Sequence, residues 1–141
     1  MKIASLVLLS LCLSLRAFAA EVPPESELKT MTLSSLLLFN DGVQEKDFSS
    51  FYKKIAALWQ DQTTPEKLKE LFNDFIEKEI NIEPIKKVEP VFNKEAAINS
   101  DGMLVIVGYY PTTPKRVVFE LKYLEEKGDW KLAGINVKTL D

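Results

Sequence analysis

The stretch GYYPTTPKRVVFELKYLEEKGDWKLAGINV, Gly108 to Val137, decides the fold class of this chain. Its middle run, Arg116–Leu124, puts Val117, Phe119, Leu121 and Tyr123 on one face and Val118, Glu120 and Lys122 on the other. A period of two is a strand with one face against a core. Glu126–Lys127–Gly128–Asp129 has the composition of a tight hairpin turn, and Trp130–Thr139 reads as the returning strand. On the other side, Pro111–Thr112–Thr113–Pro114 is a stiff connection, because its two prolines withdraw it from the ladder.

Further towards the N-terminus lie Met103–Tyr110, the turn Ser100–Asp101–Gly102 and Val91–Ile98, two more strands and the hairpin between them. Pro84 and Pro90 end any helix, and before them the period changes. Leu28 to Asn40, with Leu28, Met31, Leu36, Leu38 and Phe39, reads as a mostly buried first helix that Asn40–Asp41–Gly42 ends or bends. Asp47 caps a second, whose Phe48, Phe51, Tyr52, Ile55, Leu58 and Trp59 keep three-and-four spacing. Thr63 and Glu66 have capping-box spacing for a third helix, with Pro65 in its first turn and Leu68, Leu71, Phe72 and Phe75 as its stripe. The expectation is an α+β domain: three N-terminal helices packed on one face of a curled four-stranded antiparallel sheet.

That order, together with the Phe51–Trp59 helix, the strand ending in Tyr109–Tyr110–Pro111 and the closing Trp130–Lys131–Leu132, resembles small secreted bacterial domains of the cystatin-like, nuclear-transport-factor-two-like superfamily. The resemblance covers nearly all of residues 20–141 and implies a cone between helices and sheet. Enzymes of that superfamily mostly work inside the cone from an acidic or histidine base, whereas other members only bind or associate. Fold alone does not choose among these activities.

Residue types narrow the choice. The chain has no histidine, and its one cysteine, Cys12, lies in the N-terminal apolar run. The usual acid–base group and the usual soft nucleophile are therefore missing from residues 20–141. No carboxylate interrupts Met103–Tyr110 or Trp130–Thr139, and Glu120 falls on the face opposite Phe119 and Leu121. Asp41 and Asp47 sit at helix ends as caps. Glu95, between Lys94 and Ala96, is the remaining candidate for an inward base. No catalytic residue is assigned, and no metal-ligand spacing or cofactor motif is present. Tyr52, Trp59, Tyr109 and Tyr123 pair an apolar ring with a polar tip, which suits the mouth of a ligand pocket. Lys115 and Arg116 could hold an anionic group after the proline turn.

Met1–Lys2, the apolar run Ile3–Leu15 and the small residues Ala17 and Ala19 form a secretory signal over residues 1–19, with the mature chain starting at Ala20. The apolar run is too short to span a bilayer, which takes about 20 residues. The expectation is thus a periplasmic or secreted single domain, residues 20–141, with no membrane insertion after cleavage. Losing Lys2 and Arg16 lowers the net charge from −3 to −5. A mildly acidic chain without a basic cluster argues against nucleic acid as partner.

Met103–Leu104–Val105–Ile106–Val107 is apolar on both faces, and so is much of Leu132–Val137. A sheet covered on one side would then expose either Leu104/Ile106 or Val105/Val107 with matching residues of the last strand, and a homodimer through that face would bury them. The sequence thus supports an exported, non-catalytic binding or association module for a small apolar ligand or protein. The alternative is a cofactor-free isomerase- or hydrolase-like enzyme with a carboxylate in the cone.

Overall fold

The computed structural model describes residues 20–141; the expected signal segment, residues 1–19, lies outside the described residues. Five helices come first: α1 (Glu25–Glu45), α2 (Ser49–Lys54), α3 (Ala57–Gln60), α4 (Pro65–Leu71) and α5 (Asn73–Glu77). A 3-10 helix, Glu83–Lys87, leads to strands β1 (Val91–Phe92), β2 (Ala97–Ile98), β3 (Leu104–Tyr110), β4 (Arg116–Glu126) and β5 (Asp129–Leu140). The α+β class holds, but among the described residues helices and strands both number five rather than three and four. Each difference has a local cause.

α1 does not stop at Asn40–Asp41–Gly42. Gly42 is inside the helix, where it lets the Phe48 ring approach, and the end comes at Lys46, which takes the left-handed conformation at φ 57°. Asp47 N–H closes the motif on Gly42 O at 3.1 Å. Asn40 is buried and fully used. Its Oδ1 accepts from Ile82 N–H at 2.9 Å and its Nδ2 donates to Asn81 Oδ1 at 3.0 Å, tying the 3-10 segment to α1.

Asp47 does not hold the cap of α2: Phe48 takes the N-cap position, and Asp47 Oδ1 accepts from the backbone and hydroxyl of Ser49 from the turn before it. The expected second helix then breaks. Ile55 is extended (ψ 166°), Ala56 N–H donates to Leu132 O at 2.8 Å, and Ala57 N–H opens α3 against the Glu126 carboxylate at 2.6 Å. Bonds to β5 and to its hairpin replace the helical ladder here, and the change of phase leaves Leu58 exposed. Trp59 is half-buried, edge-on to Phe51 with centroids 5.7 Å apart.

Thr64, not Thr63, caps α4, accepting from Lys67 N–H at 3.1 Å with Pro65 in the first turn. The third expected helix splits at Phe72, whose ring meets Phe39 at 4.9 Å and Phe48 at 5.4 Å. Leu71, expected in the buried stripe, is 66 % exposed in consequence.

The sheet is antiparallel in the order β1-β3-β4-β5, with β2 also on the outer edge of β3. The expected strand Val91–Ile98 is two short pieces, because Asn93–Ala96 is longer than the stretch of β3 it spans. Leu104, Ile106, Tyr110, Val117, Phe119, Leu121 and Tyr123 face the helices and are buried. With Leu36, Phe39, Phe51, Leu68 and Ile85 they fill the space that the cone reading left for a site.

β5 reads as apolar on both faces, yet it is not. Tyr123 pairs with Leu132 and Lys122 with Gly134, so Ala133 is one extra residue, a β-bulge. The bulge shifts the alternation by one. Leu132, Ile135 and Val137 all face the helices, opposite Tyr123, Leu121 and Phe119. The outer face of β5 is therefore Lys131, Gly134, Asn136 and Lys138, with Leu140 exposed at its end, and is not the apolar match to Val105 and Val107.

Candidate functional site

An open cleft of about 490 Å³ lies between one face of α1 and the β4–β5 hairpin. α1 contributes Thr30, Met31, Ser34, Ser35 and Leu38, which recur at helical spacing on one side. The break after α2 brings in Lys54 and Ile55, and the hairpin adds Tyr123, Trp130, Lys131 and Leu132. Met31, Leu38, Ile55, Trp130 and Leu132 make an apolar wall. Thr30, Ser34, Ser35, Lys54, Tyr123 and Lys131 supply the polar part of the lining.

Tyr123 is the anchor of this wall. Its hydroxyl donates to Met31 O at 3.2 Å and takes a hydrogen bond from Ser35 Oγ at 2.7 Å. Burial pushes the phenol well above its ordinary 10.0, and the Ser35 bond offsets only part of that. The group is neutral at physiological pH and both its bonds are internal. It positions α1 against the sheet instead of acting as an acid.

The other candidates do not gather here. Tyr52 donates to Gln60 O at 3.2 Å while Gln60 Nε2 donates to Tyr52 O at 2.7 Å, a clamp across the α2–α3 break. Trp59 belongs to the same layer. Tyr109 is on the outer face of the sheet, with the Arg116 guanidinium 5.3 Å from its ring centroid. Lys115 Nζ lies 3.4 Å from Asp141 Oδ1. The six candidates thus occupy three places, and of them only Tyr123 lines the cleft beside α1. Ser35, Lys54, Trp130 and Lys131 complete it; the pair Ser34–Ser35 inside an apolar helical run is the one local sign of it in the sequence.

Glu95 is exposed, in the excursion between β1 and β2. Every aspartate and glutamate among the described residues is exposed except Glu126, which is half-buried and caps α3. The buried polar side chains among them are Thr32, whose hydroxyl donates to Leu28 O at 2.7 Å, and Asn40. Among the described residues no cluster of three or more Cys, Asp or Glu is placed to hold a metal ion, and no helix is long and apolar enough to cross a membrane. Fold and site together define a two-layer α+β domain with a side cleft. Comparison with family models, with curated proteins and with solved structures finds no match.

Proposed function

We propose that the mature domain is an exported, non-catalytic binding protein whose ligand site is the cleft between α1 and the β4–β5 hairpin. The observation that carries this reading is the placement of the acids. A base working in a dry site needs a carboxylate withdrawn from water. Here the half-buried one, Glu126, is held by a backbone N–H, and the cleft lining contains no acid. An apolar wall flanked by polar side chains suits binding without turnover. The resemblance of Gly108–Val137 to cystatin-like domains is part of this proposal and rests on the sequence.

Native mass spectrometry of the protein recovered from the exported fraction tests it. The wild-type chain should carry a bound mass that Leu38→Trp, which fills the cleft, removes. An adduct retained in that variant would move the site elsewhere. Export is tested on the same material: the N-terminus should be Ala20, and an intact Met1 in a membrane fraction would overturn it.

A further inference from the structure

One edge of the sheet is blunted and the other is open. On the outer side of β3, β1 and β2 are two residues each, with Pro90 before them and the Asn93–Ala96 excursion between them. Short, interrupted strands guard an edge against further pairing. At the opposite edge β5 runs for 12 residues without a proline. Peptide groups along a strand point alternately to its two edges, in step with the side chains. Leu132, which faces the helices, turns its carbonyl outward to Ala56 N–H at 2.8 Å. Ile135, Val137 and Thr139 face the helices too, so their N–H and C=O groups also point off the edge, while Asn136 and Lys138 turn theirs to β4. No backbone group among the described residues bonds to those three from beyond β5.

The side-chain layer stops short at the same place. Leu121, Phe119 and Val117 of β4 are buried, whereas their partners Ile135, Val137 and Thr139 are only half-buried. The helical cover therefore ends over β5. Beside Val117 and Thr139, a groove of about 300 Å³ lies against Ile80, Ile82, Pro84 and Pro114. None of Ile135, Val137 and Thr139 lines the cleft beside α1, so this is a second surface.

We infer that the free edge of β5 takes an extended segment of a partner protein as a further antiparallel strand. The backbone of that segment pairs with Ile135, Val137 and Thr139. Its inward side chains are apolar and continue the half-buried row, and the one opposite Thr139 enters the groove. In such strand addition the main-chain bonds supply affinity and the pockets for alternate side chains supply selectivity. Outward side chains of the segment fall beside Asn136 and Lys138, where an acidic residue meets the lysine. A second copy of this chain fits the edge less well. β5 holds no carboxylate between Trp130 and Leu140, so pairing it with itself brings lysine towards lysine.

Amide hydrogen exchange on the mature protein, with the synthetic peptide Val-Glu-Val-Glu-Ile-Glu-Val as probe, tests this. Without peptide, the amides of Ile135, Val137 and Thr139 should exchange fast and those of Asn136 and Lys138 slowly. Millimolar peptide should slow the first three about tenfold. Methylating the peptide's Val and Ile nitrogens should abolish the effect, and methylating its Glu nitrogens should not. Val137→Pro removes the central N–H and should abolish binding with the circular dichroism spectrum retained. Lys138→Glu should weaken the peptide about fivefold and favour Val-Lys-Val-Lys-Ile-Lys-Val instead, a gain that loss of folding does not mimic. Binding that tolerates both methylated sets is not strand addition and overturns the inference, as does failure of the peptide to slow the three amides. Slow exchange of these amides in dilute protein without peptide would mean that the edge is already covered. Protection that grows with protein concentration would assign the edge to a second copy, and either result also overturns the inference.

Discussion

A methyl group added at Gly42 would meet the Phe48 ring at 2.8 Å, and that ring is fixed by Phe39, Phe51 and Phe72. In an open helix, Gly→Ala gains about 1 kcal/mol of propensity. Here overpacking wins, and Gly42→Ala should destabilise by about 1–3 kcal/mol, read as a lower denaturation midpoint. A second contrast separates two buried tyrosines. Tyr110 is 1 % exposed and its hydroxyl has no partner, whereas that of Tyr123 has two. Tyr110→Phe should leave stability unchanged or raised, and Tyr123→Phe should lower it by about 1 kcal/mol. Burial, with Glu89 adding to it, raises the Tyr110 phenol from 10.0 to about 12. The unfolded chain releases this proton first, so the stability contribution is complete below pH 10 and lost as pH rises towards 12. Denaturation midpoints should fall across that window, less steeply in Tyr110→Phe.

At the scale of an element, the bulge at Ala133 carries the most consequence. It lets Leu132 face inward with Ile135 and Val137 although their numbers differ in parity. Deleting Ala133 leaves Leu132 in, Gly134 out and Ile135 in, so the strand keeps its apolar side. Deleting Asn136 instead sends Val137 and Thr139 to the outer face. The first variant should keep a cooperative thermal transition seen by circular dichroism, and the second should lose it. Equal behaviour of the two would mean that the bulge does not set the register. The break between α2 and α3 follows the same logic from the helical side. Leu132 O takes the Ala56 N–H, and one strand residue thereby ends a helix whose own spacing continues to Trp59.

Across the whole molecule, the outer face of the sheet is apolar on one side and charged on the other. Val91, Val105, Val107, Tyr109 and Val118 group around β3, while Glu120, Lys122 and Lys138 lie towards β5. Homodimerisation through this face remains our proposal, now centred on β3 instead of shared with β5. Two copies stacked over β3 would bury the valines and leave the charges at the rim. Light scattering on the mature protein should give twice the chain mass, and Val107→Lys should return it to one without changing the circular dichroism spectrum. A single-chain mass at high micromolar concentration removes the dimer.

The alternation of Arg116–Leu124, the hairpin at Lys127–Gly128 and the Pro65 helix start were legible in the sequence because each is set by neighbours a few residues apart. Side-chain period, positive φ at Gly128 (87°) and a capping hydroxyl are local matters. Tyr123 was legible as a candidate for the same reason, an aromatic with a polar tip on an inward strand position. The places where elements stop were decided by contacts far apart in the chain: Asn40 with Ile82, Ala56 with Leu132, Gly42 against Phe48. The cleft was decided the same way. Ser35 and Tyr123 are 88 residues apart, and neither Lys54 nor Trp130 carries a local mark of the wall they share. Spacing determines which face a side chain takes within its own element, but which faces meet depends on how the elements pack, and only the tertiary structure holds that.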